Sequence, residues 1–179
     1  MDHFKGLVGV DDLTEYQRRF DLFYDERFDA VKECVANIPL IRESIEILRD
    51  KGYNLVIATN PIFPIKAIHK RIEWAGLSVN DFSYITCYQK NCYCKPYIQF
   101  YQEVLEAIGK EAHECYMVGN DVQEDLIAGE LGIKTYLMTN YIINRGDQKI
   151  ESTYQGDYQD FYEINMKNVI LDSAYPSSR

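Results

Sequence analysis

The sequence predicts an α/β domain built on a doubly wound, mostly parallel sheet. Three observations carry that prediction. Short apolar runs at 55–58, 84–87, 115–118 and 135–138 recur along the chain, each the length of a buried strand. Amphipathic helical stretches separate them, and strands alternating with helices pair in parallel through crossovers. Polar residues gather just past the strand ends, the edge at which open parallel sheets hold ligands.

Taken in order, Leu13, Tyr16, Phe20, Phe23 or Tyr24, and Phe28 recur at three- and four-residue steps. That period predicts a helix whose aromatic face is packed. A second helix is expected from about Pro39 to Lys51, with Leu40, Ile41, Ile45 and Leu48 inward and Gly52 as its stop. Leu55–Ala58 follows as a strand ending at Thr59 and Asn60. Pro61 and Pro64 then shape a loop, and Pro64 suits a first helical turn. The next helix carries Ile65, Ile68, Ile72 and Trp74 and stops at Gly76. Tyr84–Cys87 reads as a strand leading through the loop Tyr88–Cys94 to Lys95, Pro96 and a helix that ends at Ile108 and Gly109. A strand at Cys115–Val118 turns at Gly119 and delivers Asn120, Asp121, Glu124 and Asp125 into the start of a helix. A last strand near Thr135–Met138 and a short helix around Tyr158–Ile164 close the domain, and 166–179 reads as a tail.

Composition narrows the function classes. The 179 residues are 46% hydrophobic and 26% charged, values of a globular chain that can bury a core. A net charge of −9 argues against general binding to nucleic acid or anionic membranes. No apolar run approaches the roughly 20 residues of a membrane span, and the first residues do not begin a signal peptide; a cytoplasmic protein is expected. Cys34 and Cys115 read as reduced, packed thiols. Cys87, Cys92 and Cys94 cluster without zinc-ligand spacing, so loop thiols are expected there.

Asp121 and Asp125 stand one helical turn apart and can face the same pocket, and hard carboxylate oxygens suit Mg²⁺. The bland alternative is a solvated helix start, where acids offset the helix dipole. With Thr59–Asn60 and Lys95 they supply a hydroxyl, a cation and an acid pair, the parts needed to hold and neutralise a phosphoryl group. Tyr88, Tyr93 and Tyr97 flank Lys95, and packing is their expected role.

The strings A-T-N (58–60), C-K-P (94–96) and V-G-N-D-V-Q-E-D (118–125) resemble, in order and spacing, the second, third and fourth motifs of the haloacid dehalogenase superfamily. The resemblance covers about Ile38–Ile164 and implies a Rossmann-like core and a Mg²⁺-dependent phosphatase acting on a small phosphorylated metabolite. It implies that Thr59 hydrogen-bonds a phosphoryl oxygen with Asn60 nearby, and that Lys95 holds nucleophile and phosphate charges together. Asp121 would ligate Mg²⁺, with Asp125 a further ligand or a support behind it. Asn120 departs from the commoner Gly-Asp form, which leaves open which acid touches the metal.

The family's first motif, a strand ending in D-x-D-x-T whose first aspartate is the nucleophile, has no counterpart here. Leu7–Thr14 comes nearest, but Asp11 and Asp12 are adjacent, so on a strand their side chains would point apart. The expectation is a chain lacking the central first strand, with 1–36 the remnant of a helical cap and 37–165 the core. Such a chain would be inactive alone and poorly stable, and its exposed strand edges would favour a homo-dimer. The alternative is a non-catalytic paralogue that binds Mg²⁺ and phosphate, or a partner protein.

Overall fold

Alternation along each strand puts apolar side chains on both faces of the sheet, so helices cover both. The computed structural model describes residues 6, 7, 9, 12–146 and 149–167. In chain order the elements are α1 (Thr14–Glu26), α2 (Pro39–Asp50), β1 (Val56–Ile57), α3 (Ile65–Trp74), β2 (Tyr84–Ile85), α4 (Ile98–Ile108), β3 (Tyr116–Gly119), β4 (Lys134–Met138), β5 (Tyr154–Gly156) and α5 (Tyr158–Lys167). All strand pairings are parallel. Among the described residues they form two separate hydrogen-bonded sheets, β1–β2 and β3–β4–β5.

One apolar cluster joins the two sheets. Phe100, Tyr101 and Val104 of α4, with Ala128 and Ile133, pack against Val56, Ala58 and Tyr84 on one side and Cys115 and Met117 on the other. The neighbouring strand positions face the opposite way. Ile57 and Ile85 meet Ile68 and Ile72 of α3 and Ile45 of α2. Tyr116 and Tyr136 meet Ile41 and Leu48 of α2 and Phe161 of α5. The result is a three-layer, doubly wound arrangement, as the alternation predicts. At the end of α4, Gly109 takes the left-handed conformation (φ 62) that a side chain disfavours.

The structure corrects several local expectations. The aromatic face of α1 is only partly packed: Leu13 and Phe28 are buried, whereas Phe20 and Phe23 are 57% and 45% exposed. The contacts of this region lie at its end, where Phe28 stacks between Phe63 and Trp74. Lys66 pairs there with Asp21 and Asp25, and Lys70 with Asp29. Cys34 is exposed rather than packed.

The helix expected to contain Asp121 is absent; only a 3₁₀ segment, Leu126–Leu131, follows Asp125. The carboxylate of Asp121 accepts the backbone N–H groups of Gln123 and Glu124, which turns the chain through its own side chain rather than through a helical ladder. Asp12 likewise accepts from the N–H and hydroxyl of Thr14 at the start of α1. Asp11, Val8, Val10 and 168–179 lie outside the described residues.

Candidate functional site

The turns after β1, before α4 and after β3 converge at the same edge of the sheet, and hydrogen bonds between them fix the geometry. Thr59 follows β1 and is anchored by Thr86, which follows the neighbouring β2. The fully buried Thr86 hydroxyl accepts from the Thr59 N–H at 2.9 Å and donates to the Thr59 carbonyl at 2.6 Å. Asn60 then bridges two loops. Its Oδ1 accepts the Lys95 backbone N–H at 2.7 Å, and its Nδ2 donates to Glu124 Oε2 at 2.9 Å.

The loop that presents Lys95 is held from below. Asn91 accepts from the Cys87 N–H and donates to Tyr84 Oη and to Glu103, and Glu103 also accepts the Cys92 N–H. Lys95 and Pro96 are joined by a cis peptide bond. Tyr88, Tyr93 and Tyr97 do not pack as expected: they are 55%, 47% and 66% exposed. Side chains on a short loop bound through its backbone amides have no second layer to enter.

Lys95 Nζ reaches Asp125 Oδ1 at 2.6 Å, with side-chain exposures of 6% and 9%. The ammonium also lies 5.6 and 5.7 Å from the ring centroids of Phe100 and Tyr101, which adds a cation–π attraction. The other oxygen of Asp125 accepts the Asp121 N–H at 2.9 Å. Gly119 makes room for this carboxylate: a Cβ there would come within 2.0 Å of Asp125 Oδ2. Tyr101 donates its hydroxyl to the Glu124 carbonyl at 2.8 Å. Burial raises its phenol above the ordinary range, and the nearby charges of Asp125, Glu124 and Asp121 raise it further, so it stays a neutral donor.

Asp121 is buried (8% of its side chain exposed), and its cation is Arg145, from the loop after β4. Nη1 lies 2.8 Å from Oδ1 and 2.7 Å from Oδ2, and Nη2 lies 3.6 Å from Glu124 Oε1. The cluster therefore sets the cations Lys95 and Arg145 against the acids Asp121, Glu124 and Asp125, one negative charge in excess. A cavity of about 340 Å³ opens beside its outer edge, lined in part by Val118, Gly119, Asn120 and Tyr141.

Four of the five residues singled out from the sequence thus lie on one network, Asn60 and Lys95 through each other and Asp121 and Asp125 through the turn they share; Thr59 precedes Asn60 in the chain and is anchored separately, through its backbone, to Thr86. Three residues here went unpredicted. Thr86 follows a strand without a motif, Glu124 reads in sequence as a helix-start acid, and Arg145 lies in a polar loop with no periodic signal.

The donor set suits Mg²⁺ in kind. Among the described residues no group of three or more His, Cys, Asp and Glu is placed to hold a metal ion. Mg²⁺ is ordinarily held by one or two carboxylates, with waters and substrate phosphate completing the shell. The Arg145 guanidinium stands against Asp121 as its counter-ion.

Comparison with known proteins places this geometry in context. A family model described as haloacid dehalogenase-like hydrolase matches residues 3–141. A D-glycero-beta-D-manno-heptose-1,7-bisphosphate 7-phosphatase of Haemophilus ducreyi is 26% identical over 120 residues, which are 55% of this chain and 66% of that protein. Among solved structures, a haloacid dehalogenase-type phosphatase from Thermococcus onnurineus superposes with a TM-score of 0.62 at 21% identity, covering 91% of this chain and 69% of that one. The hydrolase YfnB from Bacillus subtilis, solved bound to magnesium, gives a TM-score of 0.57 at 24% identity, covering 69% of this chain and 53% of its own. The chain thus spans about two thirds of the phosphatase it matches in sequence and about half of YfnB.

Proposed function

The chain belongs to the haloacid dehalogenase-like hydrolases, and on that premise we propose that its site is of the Mg²⁺-dependent phosphomonoester hydrolase type, acting on a small phosphorylated metabolite through an aspartyl-phosphate. The observation that supports this reading best is the buried Lys95–Asp125 pair within one turn of Asp121 at the carboxyl edge of the sheet.

In this reading each residue has a task. The Thr59 hydroxyl donates to a phosphoryl oxygen. Lys95, already desolvated, sets its positive charge where the phosphoryl group and an attacking carboxylate meet, and charge there is worth more than in water. Asp125 holds the ammonium in place, and Asn60 fixes the loop that carries it. Asp121 would hold the Mg²⁺, with Asp125 behind it. Mg²⁺, when bound, supplies charge neutralisation at the phosphoryl oxygens.

No acid inside the cluster is free to act as nucleophile: Asp125 is engaged by Lys95, Asp121 by Arg145 and Glu124 by Asn60; in this scheme that role belongs to the family's first-motif aspartate, for which this sequence offers no counterpart. The same engagement favours a second reading, a module that binds phosphate and a divalent cation without turnover. Hydrolysis of p-nitrophenyl phosphate by the 179-residue chain with Mg²⁺ separates the two. Turnover lost in Asp121→Asn establishes the hydrolase. A folded chain that binds phosphate and leaves the ester intact establishes the second reading.

A further inference from the structure

The loop that carries Arg145 is laced onto the turn that carries Asp121. Val122 N–H donates to the Ile143 carbonyl at 2.9 Å, and Ile143 N–H donates to the Asn120 carbonyl at 2.9 Å. Asn120 Nδ2 donates to the Tyr141 carbonyl at 2.6 Å, and Gln123 Nε2 to Asn144 Oδ1 at 2.7 Å. The Arg145 N–H itself donates to Gln123 Oε1 at 3.0 Å. Backbone and side chain together thus deliver the guanidinium to one place, where a single nitrogen spans both oxygens of Asp121.

The two partners differ sharply in exposure. The Asp121 side chain is 8% exposed and that of Arg145 54%. A buried carboxylate needs a cation, because its desolvation is costly when unpaired. A half-exposed guanidinium on a long side chain loses little by turning into water. The acid is therefore committed to having a cation, while this particular cation is replaceable.

We propose that Arg145 is an exchangeable internal counter-ion for Asp121, which a divalent cation must displace in order to bind there. The inference rests on reading Asp121 as a cation-binding carboxylate, and it deepens that reading by naming what sets the affinity. With the guanidinium in place Asp121 stays paired, so the loop after β4 remains docked without metal. With a divalent ion on Asp121 the guanidinium turns outward into water.

The test is titration of the folded chain with Mn²⁺, followed by the electron paramagnetic resonance of free ion, and with Mg²⁺, followed by melting temperature. The proteins are the wild type, Arg145→Gln, and Arg145→Gln combined with Asp121→Asn. The expected result is tighter Mn²⁺ binding by Arg145→Gln, on the order of threefold to fivefold, the scale of a charge pair with one partner half in water. The gain disappears in the double variant. Without metal, Arg145→Gln melts lower than the wild type, and Mg²⁺ raises its melting temperature by more. A purely structural arginine would give the lower melt without the Mg²⁺ rescue, and that outcome overturns the proposal. Equal Mn²⁺ affinity in wild type and Arg145→Gln overturns it too, while leaving the cation site standing. No binding by any of the proteins overturns the cation site and this inference together.

Discussion

Removing one partner of the Lys95–Asp125 pair leaves a charge stranded in the core, which costs about 3–5 kcal/mol in other buried pairs. Lys95→Met and Asp125→Leu are each expected to lower unfolding free energy by about that amount, measured by urea titration. The double variant should lose less than the sum of the two, because neither charge is then left alone. Additive losses would mean that the two side chains do not depend on each other. Gly119→Ala tests the same pair from the backbone. Its Cβ would meet Asp125 Oδ2 at 2.0 Å, so the carboxylate must leave Lys95 or the strand must shift. A loss of about 2–4 kcal/mol is expected, the scale of overpacking with a disrupted buried pair; a wild-type urea midpoint would contradict the close approach. Tyr101 adds a pH dependence. Its phenol is raised in the fold, so its stabilising contribution is complete below about pH 10, the ordinary tyrosine value, and is lost as pH rises above it and the unfolded chain releases the proton. Tyr101→Phe should flatten that alkaline decline.

Among the elements, α1 is held mainly at its two ends, where Leu13 and Phe28 are buried. Its own span buries no residue, and its attachment runs through Phe28 against Phe63 and Trp74 and through partly exposed ion pairs to Lys66 and Lys70, which contribute little each. Phe28→Ala is expected to cost about 3–5 kcal/mol and to expose the single tryptophan. A red shift of Trp74 emission would report the loss of the contact, and unchanged emission would show that α1 is held elsewhere. The helices were the most legible elements, because their apolar periods and glycine stops are local: α2, α3 and α4 end beside Gly52, Gly76 and Gly109. β5 was not legible. Its residues Tyr154, Gln155 and Gly156 form no apolar run and pair only with β4 at the sheet edge, so the signal lies in the partner strand.

At the scale of the molecule, the fold class and the order of the motifs were readable because β1 to β4 are apolar runs and the motifs lie in the loops just beyond them. The network that assembles them was not, since it is made by residues distant in sequence. Arg145 meets Asp121 from the loop after β4, Thr86 meets Thr59 from the neighbouring strand, and Glu124 meets Asn60 across the sheet edge. Such pairings leave no periodicity behind. Together these loops are read as a site for a phosphoryl group and a divalent cation. Calorimetric titration of inorganic phosphate into the chain, with and without Mg²⁺ and alongside Asp121→Asn, tests it most directly. Phosphate binding that Mg²⁺ strengthens is expected, with the Mg²⁺ effect lost in Asp121→Asn while the fold is kept. Phosphate binding that is absent, or indifferent to both Mg²⁺ and Asp121, would contradict it.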